Sequence, residues 1–206
     1  ILVDAGDGTL RDLIGRKFDF DTPKAVLLTH EHFDHISGLY SLVNFMTLLG
    51  RTESLLIMTP GPSERAASIL RAPMMYYSPQ FPISLVELSD EDERQIGDWK
   101  IKAFGVAHAS SRSIGYSILD EHGYRVVISG DTQRCTNLER EVIGADIAIL
   151  ECTFENKDRK LAEEYGHMVR SDAEELGRNA KQFLLIHSSS EEYFDKISCG
   201  GWRTRR

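Results

Sequence analysis

Cysteine is scarce in this sequence: Cys135, Cys152 and Cys199 are three in 206 residues, widely separated and never in a CxxC pair. That excludes a disulfide framework and fits a reducing compartment, so a cytoplasmic location is expected and the thiols read as packing residues. No apolar run is long enough to span a bilayer and no signal-peptide pattern is present, so no membrane association is expected. Positive charge is in deficit, with 24 Lys and Arg against 32 Asp and Glu and a net charge of -8. A global basic field for nucleic acid is therefore absent. Only Trp202-Arg203-Thr204-Arg205-Arg206 is strongly basic, and it reads as a solvated tail. There is no P-loop, internal repeat, low-complexity tract or linker. The length suits one domain spanning 1–206, and 41% apolar residues is ordinary for a globular protein. The chain opens at Ile1, without an initiator Met, in what reads as an ongoing strand, so further residues upstream are expected.

What the sequence does have is a dense cluster of metal-binding side chains. Thr29-His30-Glu31-His32-Phe33-Asp34-His35 follows the apolar run Ala25-Val26-Leu27-Leu28. Three histidines and two carboxylates at the end of a buried strand are poor core material. Neutral imidazole and carboxylate are good ligands for zinc or manganese. His30 and His32, two apart on an extended chain, project to one side, while Asp34 and His35 fall where the chain turns into a helix. One segment can therefore offer two pairs of ligands to two adjacent metals.

The rest of the chain alternates strands and helices. Strands are expected at the start (Ile1 to Gly8, running into a turn), from Lys24 to Thr29, Ser54 to Thr59, Ile83 to Leu88, Trp99 to Val106, Ser113 to Leu119, Tyr124 to Ser129, Ile147 to Leu150 and Gln182 to Ile186. Helices are expected over Leu39 to Leu49, from Glu64 to Leu70 with Ser63 as N-cap, from Glu139 to Gly144, and from Ser171 to Ala180. Ser171 and Glu174 have the spacing of a capping box. Residues 72–81 read as irregular, Ser89 to Arg94 as an acidic turn, and Asp120 to Gly123 as a hairpin turn that leaves His122 in solvent. This is an α/β pattern with its reactive side chains at strand ends, where ligands lie in such folds. Asp4 sits at such an end, either capping its turn or bonding to the His-rich loop.

His30, His32, Asp34, His35, His108, Asp131 and His187 each lie just past an apolar strand. Together they supply the ligand count of a two-metal site, whose ions would clamp the attacking and leaving oxygens of a hydrolysis. The ordered set, with Asp4, resembles the metallo-β-lactamase superfamily over essentially the whole chain. The resemblance implies a four-layer αββα sandwich with a dinuclear site at one edge. It implies that His30, His32 and His108 hold one metal, that Asp34, His35 and His187 hold the other, and that Asp131 bridges. The metals would be zinc foremost, with manganese or iron as alternatives. His at position 32 favours the hydrolase branch.

Within that superfamily the chain is similar to the ribonuclease Z group, tRNA 3′-processing endonucleases. Three stretches carry the likeness: His35-Ile36-Ser37-Gly38-Leu39 with Leu48-Leu49-Gly50-Arg51, then Thr59-Pro60-Gly61-Pro62, then Leu150-Glu151-Cys152-Thr153-Phe154 with Gly166-His167-Met168. The resemblance implies that His167 stabilises charge or protonates the leaving oxygen, with Glu151 orienting it, and that Asp34 also accepts a proton. A hydroxide bridging the metals would attack a phosphodiester, a tRNA 3′ trailer being the group's substrate, and the protein would be a homodimer. Phe33 and Val169 stand where the group has Gly and a small hydroxyl residue. Between His108 and Asp131 two strands and a tight turn leave no room for a tRNA-gripping arm. The alternatives are a small or cyclic phosphodiester, or a thioester or lactone.

Overall fold

The structure, a computed structural model, describes residues 1–74, 79–109 and 111–188; Cys199 and the basic tail lie outside them. A first sheet runs in the order β1 (Leu2–Val3), β2 (Ala25–Leu27), β3 (Leu55–Pro60) and β4 (Ile83–Leu88), all parallel. The second is built from β5 (Glu93–Ile96), β6 (Trp99–Gly105), β7 (Ile114–Leu119), β8 (Arg125–Ile128), β9 (Ile147–Glu151) and β10 (Gln182–Ile186). Its order is β10-β9-β8-β7-β6-β5, antiparallel from β5 to β8 and parallel from β8 to β10. The helices are α1 (Thr9–Gly15), α2 (Phe33–Ile36), α3 (Leu39–Leu48), α4 (Glu64–Met74), α5 (Thr136–Val142), α6 (Arg159–Tyr165) and α7 (Arg170–Gly177).

Side-chain alternation along the strands builds the layers. Val26 and Leu28 join Leu39, Leu42, Val43 and Met46 of α3 and Ala66 and Leu70 of α4 on the outer face of the first sheet. Their neighbours Ala25 and Leu27 point the other way, into a layer with Met58, Ile101, Ala103, Ile114, Tyr116 and Ile118 between the sheets. Ala148 and Leu150 face Leu138 and Val142 of α5 and Ala173 and Leu176 of α7 on the far side. The result is the expected αββα sandwich. Cys152 is buried in that last cluster and Cys135 packs against it, as packing residues should. No helix among the described residues is long and apolar enough to cross a membrane.

Four local expectations are corrected. Residues 89–94 are not all turn, because Glu93–Ile96 forms edge strand β5 against β6. Its Glu93, Arg94 and Gln95 are exposed, so no apolar alternation marked it. Helix α5 starts at Thr136 rather than Glu139. Ser171 is not the cap of α7, which begins at Arg170 after Val169. Instead Asn156, in the short 3-10 turn before α6, accepts the Ser171 backbone N–H at 2.8 Å, and Glu174 pairs with Arg170. A capping partner distant in sequence has no fixed spacing to read. Helix α4 continues to Met74, through the start of the segment expected to be irregular; residues 75–78 lie outside the described part.

Arg51, at the end of the α3 segment, is 2% exposed and binds only backbone carbonyls. Its Nε donates to Glu53 O, Nη1 to Phe20 O, and Nη2 to Pro23 O and Ser54 O, at 2.6–3.0 Å. One guanidinium thus ties the entries to β2 and β3 together, with the Phe81 ring 5.5 Å away.

Candidate metal centre

The strands of both sheets deliver polar side chains to one rim. Asp4 follows β1, His30 to His35 follow β2, His108 follows β6, Asp131 follows β8, Glu151 ends β9 and His187 follows β10. Two close approaches fix the loops. A Cβ on Gly6 would lie 1.8 Å from the Asp34 carbonyl oxygen, so only glycine lets the β1 turn meet α2. There Ala5 N–H donates to His35 O at 2.7 Å and Gly38 N–H to Ala5 O at 2.8 Å. Gly166, at φ +78°, caps α6 in the left-handed region and presses on the backbone of Ala109. The two sheets are pinned beneath the rim by Tyr116, whose buried hydroxyl donates to Leu28 O at 2.7 Å. Burial pushes that phenol's pKa well up, so it stays a donor.

The hydrogen bonds set the tautomer of each imidazole. Thr29 Oγ1 donates to Asp4 Oδ2 at 2.9 Å, so it can only accept from His30 Nδ1, 3.1 Å away. His35 Nδ1 donates to the same Asp4 oxygen at 2.7 Å, and His108 Nδ1 to Gly166 O at 2.9 Å. Thr153 Oγ1 donates to Glu151 Oε2 and accepts from His187 Nδ1 at 2.8 Å. Each of these rings therefore turns its Nε2 toward the rim. His32 is reversed: its Nε2 meets Ser111 Oγ at 2.8 Å, and its Nδ1 faces His108 Nε2 at 3.1 Å.

Those ring nitrogens converge in two groups. The ligand atoms of His30, His32 and His108 lie within 4.8 Å of one another, as do those of Asp34, His35, Asp131 and His187. A further overlapping set is His108, Asp131 and His167. Asp131, 3% exposed, reaches both main groups through one oxygen, Oδ2. That oxygen lies 3.8 Å from His30 Nε2, 3.3 Å from His35 Nε2 and 3.5 Å from His187 Nε2. Asp34 Oδ2 is 3.3 Å from His187 Nε2. The sequence-predicted residues are thus brought together without exception.

The donor set fits divalent cations. The buried His30 Nε2 and His35 Nε2 have no hydrogen-bond partner, which is costly for an imidazole nitrogen unless a ligand takes it. Burial, with the neighbouring His35, pushes His30 down to about 3 and keeps it neutral, as a ligand must be. Burial would also lower His35, but the adjacent carboxylates of Asp131 and Asp4 hold it up at about 10. For Asp131 burial works the other way and is overcome by the surrounding histidines, which keep its carboxyl well below the usual range.

Asp4 is the orienting group for His35 and Thr29. In Asp4→Asn, the amide nitrogen placed at Oδ2 would face two donors. The expected outcome is roughly 10–100-fold weaker metal affinity with little loss of fold, measured by chelator competition. An unchanged affinity contradicts that role.

Glu151 is 1% exposed and lies beside the two groups rather than in them. Its Oε1 accepts from Thr132 N, Met168 N and His167 Nδ1, and its Oε2 from Thr153 N and Oγ1. His167 is therefore held at 2.9 Å by a carboxylate that cannot move. Burial tends to lower the His167 pKa, but Glu151 outweighs it and the net shift is upward. His167 lies against His108 and His187, with ring centroids 4.7 and 5.8 Å away. The roles of Thr29, Ser111 and Thr153 carry no signal of their own in the sequence. A hydroxyl that orients an imidazole has no sequence spacing of its own; only its adjacency to the flagged His30 and Glu151, or to the loop after His108, hints at it.

Comparison with known proteins agrees with this architecture. A family model described as a beta-lactamase superfamily domain matches residues 1–187. Ribonuclease Z of Ignicoccus hospitalis is 28% identical over 92% of this chain and 78% of its own length. Ribonuclease Z of Gemmatimonas aurantiaca is 27% identical over 92% and 76%. Among solved structures, the short form of human tRNase Z superposes with a TM-score of 0.78 at 23% identity, covering 91% of this chain and 81% of that one. The metallo-beta-lactamase fold protein YhfI of Bacillus subtilis gives 0.73 at 22%, covering 94% and 77%.

Proposed function

Since the chain belongs to the beta-lactamase superfamily and is a hydrolase of that fold, we propose that it hydrolyses phosphodiesters, with RNA as substrate, using two divalent ions. The reading is supported by ribonuclease Z relatives that align over nine-tenths of the chain. The observation that carries it is the fixed Glu151–His167 pair beside Asp131, with His167 Nδ1 4.0 Å from Asp131 Oδ2. A thioester or lactone hydrolase has no use for a second, carboxylate-held imidazole at this place.

His30, His32 and His108 would hold one ion, and Asp34, His35 and His187 the other, with Asp131 Oδ2 between them. Zinc suits this donor set best, with manganese or iron as alternatives. Bound there, the ions supply Lewis-acid polarisation of the phosphoryl oxygens and a lowered pKa for water. The chain's own part is separate. Glu151 keeps His167 Nδ1 protonated and the ring in one orientation. His167 then donates the proton on Nε2 to the departing oxygen, so that the alcohol leaves neutral. Asp34, more exposed than Asp131, takes up a proton on the attacking side. The whole site stands on what we read as one domain.

One observation favours a smaller substrate. Leu119 and Arg125 pair directly across β7 and β8, so the connection between His108 and Asp131 carries no tRNA-gripping arm beyond its tight turn. Incubating the metal-loaded protein with a tRNA precursor and with bis(p-nitrophenyl) phosphate separates the cases. Cleavage of both is expected. Turnover of the second alone restricts the enzyme to small phosphodiesters, and turnover of neither, with hydrolysis of a thioester, overturns the reading.

A further inference from the structure

An acidic protein that cleaves a polyanion needs local cations to hold it. Five of the arginines among the described residues are already committed to carboxylates. Arg11, Arg134, Arg140, Arg159 and Arg170 each have a carboxylate partner. Arg65 and Arg112 are different. Arg65 donates Nη1 to Glu31 O at 3.1 Å, and Arg112 donates Nη1 to Gly61 O at 2.8 Å. Among the described residues neither guanidinium has a carboxylate at ion-pair distance, and most of its five N–H groups remain available. Both side chains are exposed.

The two arginines line one cavity of about 510 Å³, and His32 and Ser111 line it too. The cavity therefore adjoins the metal centre on the side of His30, His32 and His108. Its acidic groups are Glu31 and Glu64. Glu31 is engaged elsewhere: its carboxylate accepts Arg65 N at 3.2 Å and Ala66 N at 2.8 Å, set against the positive end of α4. Glu87, behind the Gly61–Ser63 turn, is bonded to Ser63 N and Oγ and feels Arg112 only at longer range. That leaves two forked cations against Glu64 on the wall of a cavity next to the reacting phosphate. Guanidinium forks match phosphate oxygens in pairs.

We propose that Arg65 and Arg112 form a second anion subsite, which holds the phosphate neighbouring the scissile one. The preferred substrate class is then a nucleotide or oligonucleotide with at least two phosphates, an isolated phosphodiester being turned over without this second contact. This rests on the phosphodiesterase reading and names its substrate more closely. It also accounts for how a chain of net charge -8 without an arm grips RNA.

Calorimetric titration of the metal-loaded protein with adenosine 3′,5′-bisphosphate and with adenosine 5′-monophosphate tests it. The wild type should bind the bisphosphate at least about tenfold more tightly. In R65Q/R112Q that preference should fall below about threefold while the monophosphate Kd stays put, and the salt dependence of bisphosphate binding should flatten by about one unit per lost contact. The single variant Arg112→Lys keeps the charge without the fork and should fall between. No preference in the wild type, or a preference that survives R65Q/R112Q, overturns the subsite. Failure of the underlying reading appears separately, as a wild type that does not hydrolyse bis(p-nitrophenyl) phosphate at all.

Discussion

His167→Ala should lower kcat on a phosphodiester by roughly two to four orders of magnitude, the range associated with a positioned general acid. Metal content should be unchanged, because His167 Nδ1 is committed to Glu151 and the two main ligand groups are complete without it. A loss of that size with full metal occupancy assigns proton transfer, whereas a loss accompanied by metal depletion makes His167 a ligand. If the substrate were a thioester or lactone, the same variant would turn over nearly as fast as the wild type. Glu151→Gln should reproduce part of the defect. The buried amide cannot accept from all of Thr132, Met168, Thr153 and His167 as the carboxylate does, so the His167 ring loses its fixed orientation. A p-nitrophenolate leaving group needs little protonation, so the His167→Ala defect should be smaller on bis(p-nitrophenyl) phosphate than on RNA.

Arg51→Met should destabilise the fold by about 3 kcal/mol, which for a chain of this size is a fall in Tm of about 6–12 °C. The methionine fills much of the volume, but the carbonyls of Phe20, Pro23, Glu53 and Ser54 lose their donor in a buried place. Each buried acceptor left without a partner costs more than the hydrogen bond contributed. Arg51→Lys should recover only part of the loss, since one ammonium cannot reach acceptors arranged around a planar fork. Thermal melts read the effect. Because Arg51 sits at the entries to β2 and β3, whereas the ligands follow the exits of their strands, kcat of the folded fraction should stay near wild type. A Tm within 2 °C of wild type, that is less than about 1 kcal/mol, contradicts the staple.

The contrast between these two residues shows what could be read in advance. The cluster of candidate ligands is legible in the sequence because polar side chains suited to metals at the ends of apolar strands conflict with burial unless something occupies them. His30, His108, Asp131 and His187 all carry that signal. The sandwich was legible too, since β2 and its neighbours alternate between two apolar layers. Arg51 carried no such signal: a single arginine after a helix reads as surface, and only the converging carbonyls of two separate segments make it a core residue. The same holds for Asn156 as the cap of α7 and for Thr153 between Glu151 and His187. Edge strand β5 was missed for another reason, because an exposed strand that is paired on one side needs no apolar pattern. Phe33 is a departure from the ribonuclease Z pattern inside the His-rich loop. It begins α2 and is 73% exposed, so the fold does not depend on it, and its aromatic ring is left to the solvent side of the site.

The central claim is metal-dependent phosphodiester cleavage at the His and Asp cluster. The most direct measurement is the initial rate of bis(p-nitrophenyl) phosphate hydrolysis by chelator-stripped protein as zinc or manganese is added back, with bound metal quantified at each point. The account predicts no turnover in the stripped protein, a rate that rises with bound metal, and a plateau at two ions per chain. Turnover that is unaffected by stripping, or its absence when two ions are bound, would contradict it.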